Sequence, residues 1–189
     1  LEKMGCKIEE VSLPHTKYAV AVYYIVVPSE DSSNLGRMDA VRYGVRVKGK
    51  DLEELYSLSR AQGFPEEVKR RILIGTYALS AGYYDAYYKK AQKVRTLIKQ
   101  DFEKVFEKVD VLIAPTVPYP AFDVGAKAND VLAMYLADVF EIPASLSGVP
   151  SISVPGGKTK SGLPVGIQII GPRLGEGVVF KAAYNIINE

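Results

Sequence analysis

Few residues in this sequence could act as a nucleophile or a general base. Histidine occurs once, at His15, and cysteine once, at Cys6. A Ser-His-Asp triad needs an imidazole, but His15 follows Leu-Pro at a predicted strand-to-helix turn, where a polar turn residue is the simpler interpretation. Cys6 lies in a predicted strand and is more consistent with inert packing than with reactivity. The residues therefore predict no complete hydrolytic site.

The tripeptide Gly-Lys-Thr at 157–159 matches the end of a phosphate-binding loop. That motif also requires a glycine five residues before the Gly-Lys pair, where Ile152 stands, and a helix afterwards, where a turn follows. We therefore predict a hairpin turn between strands at 151–154 and 165–170. One histidine and one cysteine are also too few for a structural zinc site.

Two adjacent arginines, Arg70 and Arg71, could bind an anion. They lie early in a predicted helix that opens at Pro65 and continues with apolar residues. If the helix turns one arginine inward, its planar guanidinium can bind a carboxylate through two parallel hydrogen bonds. Charge on a solvated surface is the alternative, and the residues alone favour it.

A second cluster of cations falls on a long helix predicted from Asp85 to Lys108. Its basic residues alternate with acids, so a solvated face is the simpler interpretation, and contact with RNA or a partner protein is the alternative. Tyrosines form two clusters that are typical of core or interface packing. The basic residues are Lys89, Lys90, Lys93, Arg95, Lys99, Lys104 and Lys108, the acids are Asp85, Asp101, Glu103 and Glu107, and the tyrosines are Tyr23, Tyr24, Tyr83, Tyr84, Tyr87 and Tyr88.

The sequence predicts a mixture of helices and strands that would position these side chains. Helices mixed with buried strands predict an α/β fold. The strand at 109–114 is entirely apolar apart from one aspartate and is predicted to be buried on both faces, whereas 29–46 is predicted to be a long polar loop. The predicted helices are 16–29, 51–60, 65–79, 85–108, 130–140 and 175–188, and the predicted strands are 7–13, 109–114, 151–154 and 165–170.

Composition excludes several classes of protein. The sequence has 24 Lys and Arg against 22 Asp and Glu, so nothing requires a polyanionic partner over the whole surface. The longest apolar stretch, 18–28, is shorter than the roughly 20 residues that cross a bilayer, and a single cysteine fits a reducing cytosol. We therefore expect no membrane span and a cytoplasmic location. Both ends look like cuts in a longer protein.

Two stretches resemble the amidase-signature enzymes. The first is Glu-Val-Lys-Arg-Arg-Ile-Leu-Ile-Gly-Thr at 67–76. The second is Ser-Leu-Ser-Gly-Val-Pro-Ser-Ile-Ser-Val-Pro at 145–155, followed by Leu-Pro-Val-Gly-Ile-Gln-Ile-Ile-Gly at 163–171. This resemblance implies a mixed β-sheet covered by helices, with residues 1–189 forming the C-terminal part of a single domain.

Two further stretches are similar to the A-subunit family of the aminoacyl-tRNA amidotransferases. They are Pro-Ser-Glu-Asp-Ser-Ser-Asn-Leu at 28–35, with Val-Arg-Tyr-Gly at 41–44, and Gly-Tyr-Tyr-Asp-Ala-Tyr-Tyr-Lys-Lys-Ala-Gln-Lys-Val-Arg at 82–95. In this family a nucleophilic serine, a second serine and a lysine lie in the N-terminal half, partly in a Gly/Ser-rich run that this sequence lacks. The resemblance implies that this chain holds no catalytic residue and is inactive alone.

The contribution implied for this chain is recognition of glutamine. By resemblance, Arg71 would bind the α-carboxylate, Asp138, on a predicted helix, would hold the α-ammonium, and Tyr23 would contact the substrate. The spacing favours Arg71 over Arg70. A zwitterion that leaves water needs charged partners for both of its groups, because the cost of desolvation otherwise dominates.

The resemblance also implies the reaction of the whole complex. Glutamine is hydrolysed, ammonia passes to a second protein of the complex, and Glu-tRNA(Gln) or Asp-tRNA(Asn) is amidated with ATP and Mg²⁺. No metal or cofactor is expected in this chain, and the expected partners are the B and C subunits of the amidotransferase, with 29–46 as a candidate partner-facing segment. The alternatives are part of a stand-alone amidase of the same superfamily and a non-catalytic binding or assembly module.

Overall fold

The structure is a computed structural model that describes residues 2–126 and 130–188. The chain divides into two compact units. One comprises Ala21–Gln92 and is called the helical unit, and the other comprises Leu1–Val20 with Lys93–Glu189 and is called the sheet unit. Helices and a β-sheet are both present, which confirms the α/β prediction. The assignment of the chain to part of a single domain stays a prediction.

The sheet unit contains a three-stranded antiparallel sheet in the order β1-β3-β2. Its strands are β1 (Leu112–Pro115), β2 (Ser151–Lys158) and β3 (Pro164–Ile170). The hairpin predicted between β2 and β3 is confirmed, and the Gly-Lys-Thr tripeptide lies at its turn end, where a register shift between Pro155 and Lys158 bends the ladder. The phosphate-loop alternative is therefore excluded.

One face of this sheet packs against α7 (Glu176–Ile187), which confirms the predicted final helix. Alternate β-strand residues point to the same face, and the buried cluster joins Val154 and Ile169 to Val179 and Ala183 of the helix. Helix and hairpin thus share one apolar core.

The apolar run at 109–114 forms a shorter strand than predicted. Pairing begins at Leu112, and β1 lies at one edge of the three strands. Ile113 is 44% exposed, so the prediction of burial on both faces is wrong for this chain. An apolar run indicates a buried strand, but it does not show which other strands lie beside it.

The long cationic helix is confirmed with a change at its start. A π-helical turn at Asp85–Lys89 leads into α4 (Lys90–Val105). The predicted apolar stripe is buried at Ile98, Phe102 and Val105. The helix predicted at 130–140 is shorter in the structure, as α5 (Val131–Leu136), and a second short helix, α6 (Ile142–Ser147), was not predicted.

The segment before the first long helix is irregular. Residues 7–13 are exposed for the most part and form no strand, so that prediction is wrong, because the segment finds no partner strand in the described chain. A 3₁₀ turn at Thr16–Tyr18 leads into α1 (Ala19–Asn34). Thr16 does not cap this helix, since its hydroxyl donates to the carbonyl of Leu13.

The only histidine of the chain anchors this turn to α4. The backbone N–H of His15 donates to Asp101 Oδ2 at 2.8 Å, and its Nδ1 lies 3.0 Å from Oδ1 of the same carboxylate. Asp101 is 6% exposed. A buried carboxylate is costly unless it is hydrogen-bonded, so the simpler interpretation of His15, a structural residue, is supported by this contact.

The helical unit contains most of α1, together with α2 (Leu52–Gly63) and α3 (Glu66–Leu79). Asp51 caps α2 by accepting from the N–H of Glu54. Pro65 precedes α3, whose first turn holds Glu66 and Glu67 near the positive end of the helix dipole. Both helices are close to their predicted bounds.

Helix α1 continues five residues beyond its predicted end and contains Pro28. Proline has no N–H, so one backbone hydrogen bond of the helix is missing there. The start of the predicted loop at 29–46 is therefore helical, and a 3₁₀ turn follows at Leu35–Arg37. The polar composition of this stretch predicted a loop. In the structure the hydroxyl of Ser29 donates to the carbonyl of Ile25, so this polar side chain is satisfied within the helix.

Helices α1 and α3 approach closely at Gly75. A Cβ at this position would collide with the carbonyl of Pro28. One residue further along α3, the Thr76 hydroxyl lies 2.8 Å from the hydroxyl of Ser32. This contact fixes which side chains of the two helices meet.

Within the described residues, no helix is long and apolar enough to cross a membrane.

We expect Gly75→Ala to lower the free energy of unfolding by about 1–3 kcal/mol, the usual cost of overpacking. The added methyl group has no space beside the Pro28 carbonyl. Urea unfolding measures the change. Gly177→Ala, in α7, is the matched control, because nothing lies within 4 Å of its added Cβ. Equal stability of the two variants would contradict the close helix contact.

We expect Asp101→Ala to lower the free energy of unfolding by about 1.5–3 kcal/mol, the usual value of a hydrogen bond to a charged group. The substitution removes both contacts to His15. Glu103→Ala on the same helix is the control, since its exposed pair with Lys99 should contribute under about 1 kcal/mol. Thermal or urea unfolding of both variants distinguishes them, and a smaller loss at Asp101 would refute the anchor.

Candidate functional site

Arg71 lies one turn before Gly75 on the face of α3 that meets α1. Its Nε donates to Glu67 Oε1 at 3.1 Å. The hydroxyl of Tyr23 on α1 lies near enough to help raise the pKa of the guanidinium. Arg71 and Tyr23, which the resemblance predicts to contact the same substrate, therefore lie close together within the helical unit.

Aromatic rings complete the surroundings of this cation. The guanidinium carbon of Arg71 lies 5.8 Å from the ring centroid of Tyr24, within the range of a cation–π contact. The rings of Tyr23 and Tyr24 meet edge to face at 5.1 Å. Arg71 thus lies between an acid on its own helix and two tyrosines of the neighbouring helix.

These contacts also shift the pKa of Arg71. Burial alone lowers the pKa of the guanidinium, but the hydrogen bonds and charges of Glu67 and Tyr23 outweigh burial and raise the pKa above its ordinary value. An arginine is protonated at any working pH. The partners therefore serve to hold the cation in position rather than to keep it charged.

Arg70 has a different environment. Its Nη1 donates to Glu67 Oε2 at 2.7 Å, and Nη2 lies 3.6 Å from Glu66 Oε1. The side chain of Arg70 is 39% exposed against 27% for Arg71. Arg70 pairs with acids of its own helix, whereas Arg71 also contacts α1, so the geometry favours Arg71 as the inward arginine.

Asp138 lies in the turn between α5 and α6 and not on a helix, which corrects the prediction. Asp130 caps α5 through the N–H of Ala133, and that short helix ends at Leu136. The carbonyl of Asp138 then accepts the N–H groups of Glu141 and Ile142, each at 3.0 Å, at the start of α6. Asp138 is half-buried.

A second acid accompanies Asp138. Burial raises the pKa of Glu141, and the negative charge of Asp138 raises it further. Two neighbouring carboxylates make this turn a region of negative potential, which suits a cation. Arg71 and Tyr23 belong to the helical unit and Asp138 to the sheet unit, so each group is described within its own unit.

The cationic helix does not present one continuous basic face. Arg95 donates to the carbonyl of Leu146 at 2.8 Å, and Asp101 is buried against His15. Among the lysines, Lys89 pairs with Asp85 and Lys99 with Glu103. These pairs support the interpretation of a solvated face.

The second tyrosine cluster packs largely on itself. Tyr77 and Tyr83 have ring centroids 4.3 Å apart, and Tyr84 stacks on Tyr88 at 5.3 Å. A hydrogen bond to Tyr83, with burial and nearby tyrosines contributing, raises the pKa of Tyr77 to about 12. Tyr88 donates to Glu30 on α1 at 2.7 Å. This cluster joins the end of α3 to the turn that follows it.

Other features of the described residues do not include the predicted substrate contacts. Cys6 is exposed, so its predicted packing in a strand is wrong. Across residues 2–126 and 130–188, no three His, Cys, Asp or Glu side chains gather as a metal site would require. A cavity of about 480 Å³ lies beside β1 in the sheet unit, and its lining, from Ile113 to Ala121 and from Pro164 to Ile167, contains none of the predicted substrate contacts.

Three neighbours of the predicted contacts escaped the sequence prediction: Glu67, Tyr24 and Glu141. Glu67 could have been found, because an acid three and four residues before two arginines pairs with them on a helix. The spacing of Glu141 from Asp138 carried no such signal, since a turn was taken for a helix. Tyr24 needed the crossing of two helices to be known.

Known proteins share most of this sequence. The amidase family model matches residues 1–180. The chain is 61% identical over 184 residues to the A subunit of glutamyl-tRNA(Gln) amidotransferase from Thermodesulfovibrio yellowstonii, covering 97% of this chain and 38% of that protein. It is 58% identical over 186 residues to the protein of the same name from Macrococcus caseolyticus, covering 98% and 38%.

Solved structures show the same fold. The crystal structure of the glutamyl-tRNA(Gln) amidotransferase A subunit from Thermotoga maritima superposes with a TM-score of 0.68 at 44% identity, covering 95% of this chain and 34% of that one. An amidase superposes with a TM-score of 0.69 at 23% identity, covering 96% and 37%, and this likeness concerns the fold alone. The chain spans 38% of the length of the curated relatives. Because the family model matches nearly all of its residues, the chain belongs to the amidase family.

Proposed function

We propose that this chain carries the glutamine-binding residues of a glutamyl-tRNA(Gln) amidotransferase A subunit. Arg71 would bind the α-carboxylate of glutamine, Asp138 its α-ammonium, and Tyr23 would contact the substrate beside Arg71. The observation that carries the proposal is the contact of Arg71 with α1, where its guanidinium carbon lies 5.8 Å from the ring centroid of Tyr24, the neighbour of Tyr23. The family resemblance assigns Arg71 and Tyr23 to one substrate. The similarity to such proteins over 97% of the chain supports the choice of substrate.

Free glutamine carries two opposite charges. Its carboxylate and ammonium lose water on binding, and each needs a partner of opposite charge. Arg71 offers a planar donor fork that matches a carboxylate. Its hydrogen bond to Glu67 uses one of the five N–H donors of an arginine, so terminal N–H groups can bind the substrate.

The acidic turn at Asp138 complements this cation. Asp138 and Glu141 lie close enough for the charge of one to raise the pKa of the other. An ammonium placed there would relieve the repulsion between the two carboxylates, which adds to its affinity. Binding of both charged groups would limit the orientations of glutamine, which favours attack on its side-chain amide by the nucleophile of the complete protein.

The proposed reaction belongs to the whole complex. Glutamine is hydrolysed to glutamate and ammonia, and the ammonia passes to the B subunit, where Glu-tRNA(Gln), or Asp-tRNA(Asn), is amidated with ATP and Mg²⁺. The C subunit completes a cytoplasmic heterotrimer. This chain would contribute recognition, while the family resemblance assigns the serine and lysine that cleave the amide to the N-terminal half of the complete protein.

The first test replaces the proposed carboxylate clamp. Arg71→Lys in the full-length protein should raise the KM for glutamine about ten- to a hundredfold, because lysine keeps the charge but loses the bidentate fork. Arg70→Lys is the matched variant, and its shift should be far smaller, since a lysine there still pairs with Glu66 or Glu67. Glutaminase kinetics measure both variants. An unchanged KM for Arg71→Lys removes this residue from the site.

The second test addresses the proposed ammonium site. Asp138→Asn should raise the KM for glutamine by about tenfold or more, because a hydrogen bond to a charged group is lost. Glutaramate, which is glutamine without its α-amino group, provides the control substrate. Wild type and variant should hydrolyse glutaramate with the same KM. An equal loss with both substrates would mean that Asp138 does not contact the ammonium.

A further inference from the structure

We propose that Glu67 is a positioning residue that orients Arg71 and dictates which edge of its guanidinium meets the substrate. This inference rests on the proposed function, since it assigns a second residue to the same site. It concerns a carboxylate that binds the Nε edge of Arg71 and that would not itself touch glutamine.

The hydrogen bond from Arg71 Nε decides the orientation. A guanidinium can grip a carboxylate through its Nε edge or through its two terminal nitrogens, because each edge offers two parallel N–H groups. Glu67 Oε1 accepts from Nε at 3.1 Å and so occupies the first edge. The terminal edge remains for the α-carboxylate of an amino acid, which would therefore approach Arg71 end on.

The second oxygen of Glu67 is held as well. Oε2 accepts from Arg70 Nη1 at 2.7 Å, so the carboxylate bridges two arginines of α3. With both oxygens engaged, the carboxylate cannot rotate without breaking a charged hydrogen bond. Arg70 thus acts on the site through Glu67 rather than through the substrate.

The position of Glu67 in α3 allows its carboxylate to bind both arginines. It lies in the first turn of α3, where an acid is stabilised by the helix dipole. Arg70 and Arg71 follow at three and four residues, the spacings at which side chains of a helix meet. From α1, the ring of Tyr24 lies 5.8 Å from the guanidinium carbon, so groups of two helices limit the orientation of Arg71.

A purely structural role predicts a different outcome from a positioning role. An ordinary ion pair between helix neighbours stabilises the fold slightly and leaves substrate affinity unchanged. A positioning residue changes substrate affinity only while Arg71 is present. The two roles are separated by a double-mutant cycle, which measures whether the effects of two substitutions are independent.

The experiment uses the complete amidotransferase with four forms: wild type, Glu67→Ala, Arg71→Lys and the double variant. We expect Glu67→Ala to raise the KM for glutamine on the order of tenfold with a smaller change in kcat. Added to Arg71→Lys, it should raise KM by less than about twofold. Glu67→Asp should recover part of the affinity, because one oxygen can still reach an arginine.

Two controls exclude trivial causes. Glu66→Ala removes the adjacent acid, which is largely exposed and pairs with Arg70 at 3.6 Å, and it should leave KM unchanged. Ammonium chloride supplied in place of glutamine bypasses the binding site, so all variants should amidate tRNA with it at the wild-type rate.

The outcomes separate the inference from the proposed function. If Arg71→Lys raises KM and Glu67→Ala does not, the inference fails and the proposed function stands. Additive effects in the cycle, or loss of the ammonium-dependent rate in Glu67→Ala, assign Glu67 a structural role and also overturn the inference. An unaltered KM in Arg71→Lys overturns the proposed function, and the inference falls with it.

Discussion

The close approach of α1 and α3 is the constraint on which the candidate site depends. It is possible because residue 75 is glycine, and the carbonyl of Pro28 occupies the space of a side chain there. One helical turn earlier, the same crossing brings Arg71 against Tyr23 and Tyr24. A backbone contact without any charge thus determines where a cation lies and which groups surround it.

Charge then refines what packing has placed. A partly buried guanidinium is stable only with partners, and Glu67 supplies one from the same helix. Glu67 orients the guanidinium of Arg71. Because the same carboxylate also binds Arg70, its negative charge is shared between the two arginines. The turn at Asp138 holds two acids, and there burial and the charge of Asp138 both raise the pKa of Glu141. Under the proposed function, Arg71 binds the carboxylate of glutamine and Asp138 its ammonium.

The sequence predicted those features that depend on interactions between neighbouring residues. The helix that follows Asp51, the start of α3 after Pro65 and the hairpin between β2 and β3 are set by neighbouring residues, and all three were predicted. Residues 7–13 and the edge position of β1 depend on strand partners distant in sequence, so alternation and hydrophobicity gave the wrong answer there.

Some residues of the candidate site could likewise be predicted from local sequence, and others could not. A resemblance of motifs named Arg71, Tyr23 and Asp138, and helix spacing could have added Glu67. The turn that carries Asp138 was mistaken for a helix because its residues are mostly apolar and helix-compatible. Tyr24 joins Arg71 only through the crossing of α1 and α3, which no single stretch of sequence encodes.

The most direct measurement is a crystal structure of the full-length protein, inactivated at its nucleophile and soaked with glutamine. We expect the α-carboxylate within about 3 Å of the terminal nitrogens of Arg71 and the α-ammonium at the same distance from Asp138, with the Arg71 Nε still bound to Glu67. Glutamine bound with its carboxylate away from Arg71 would contradict the proposed site.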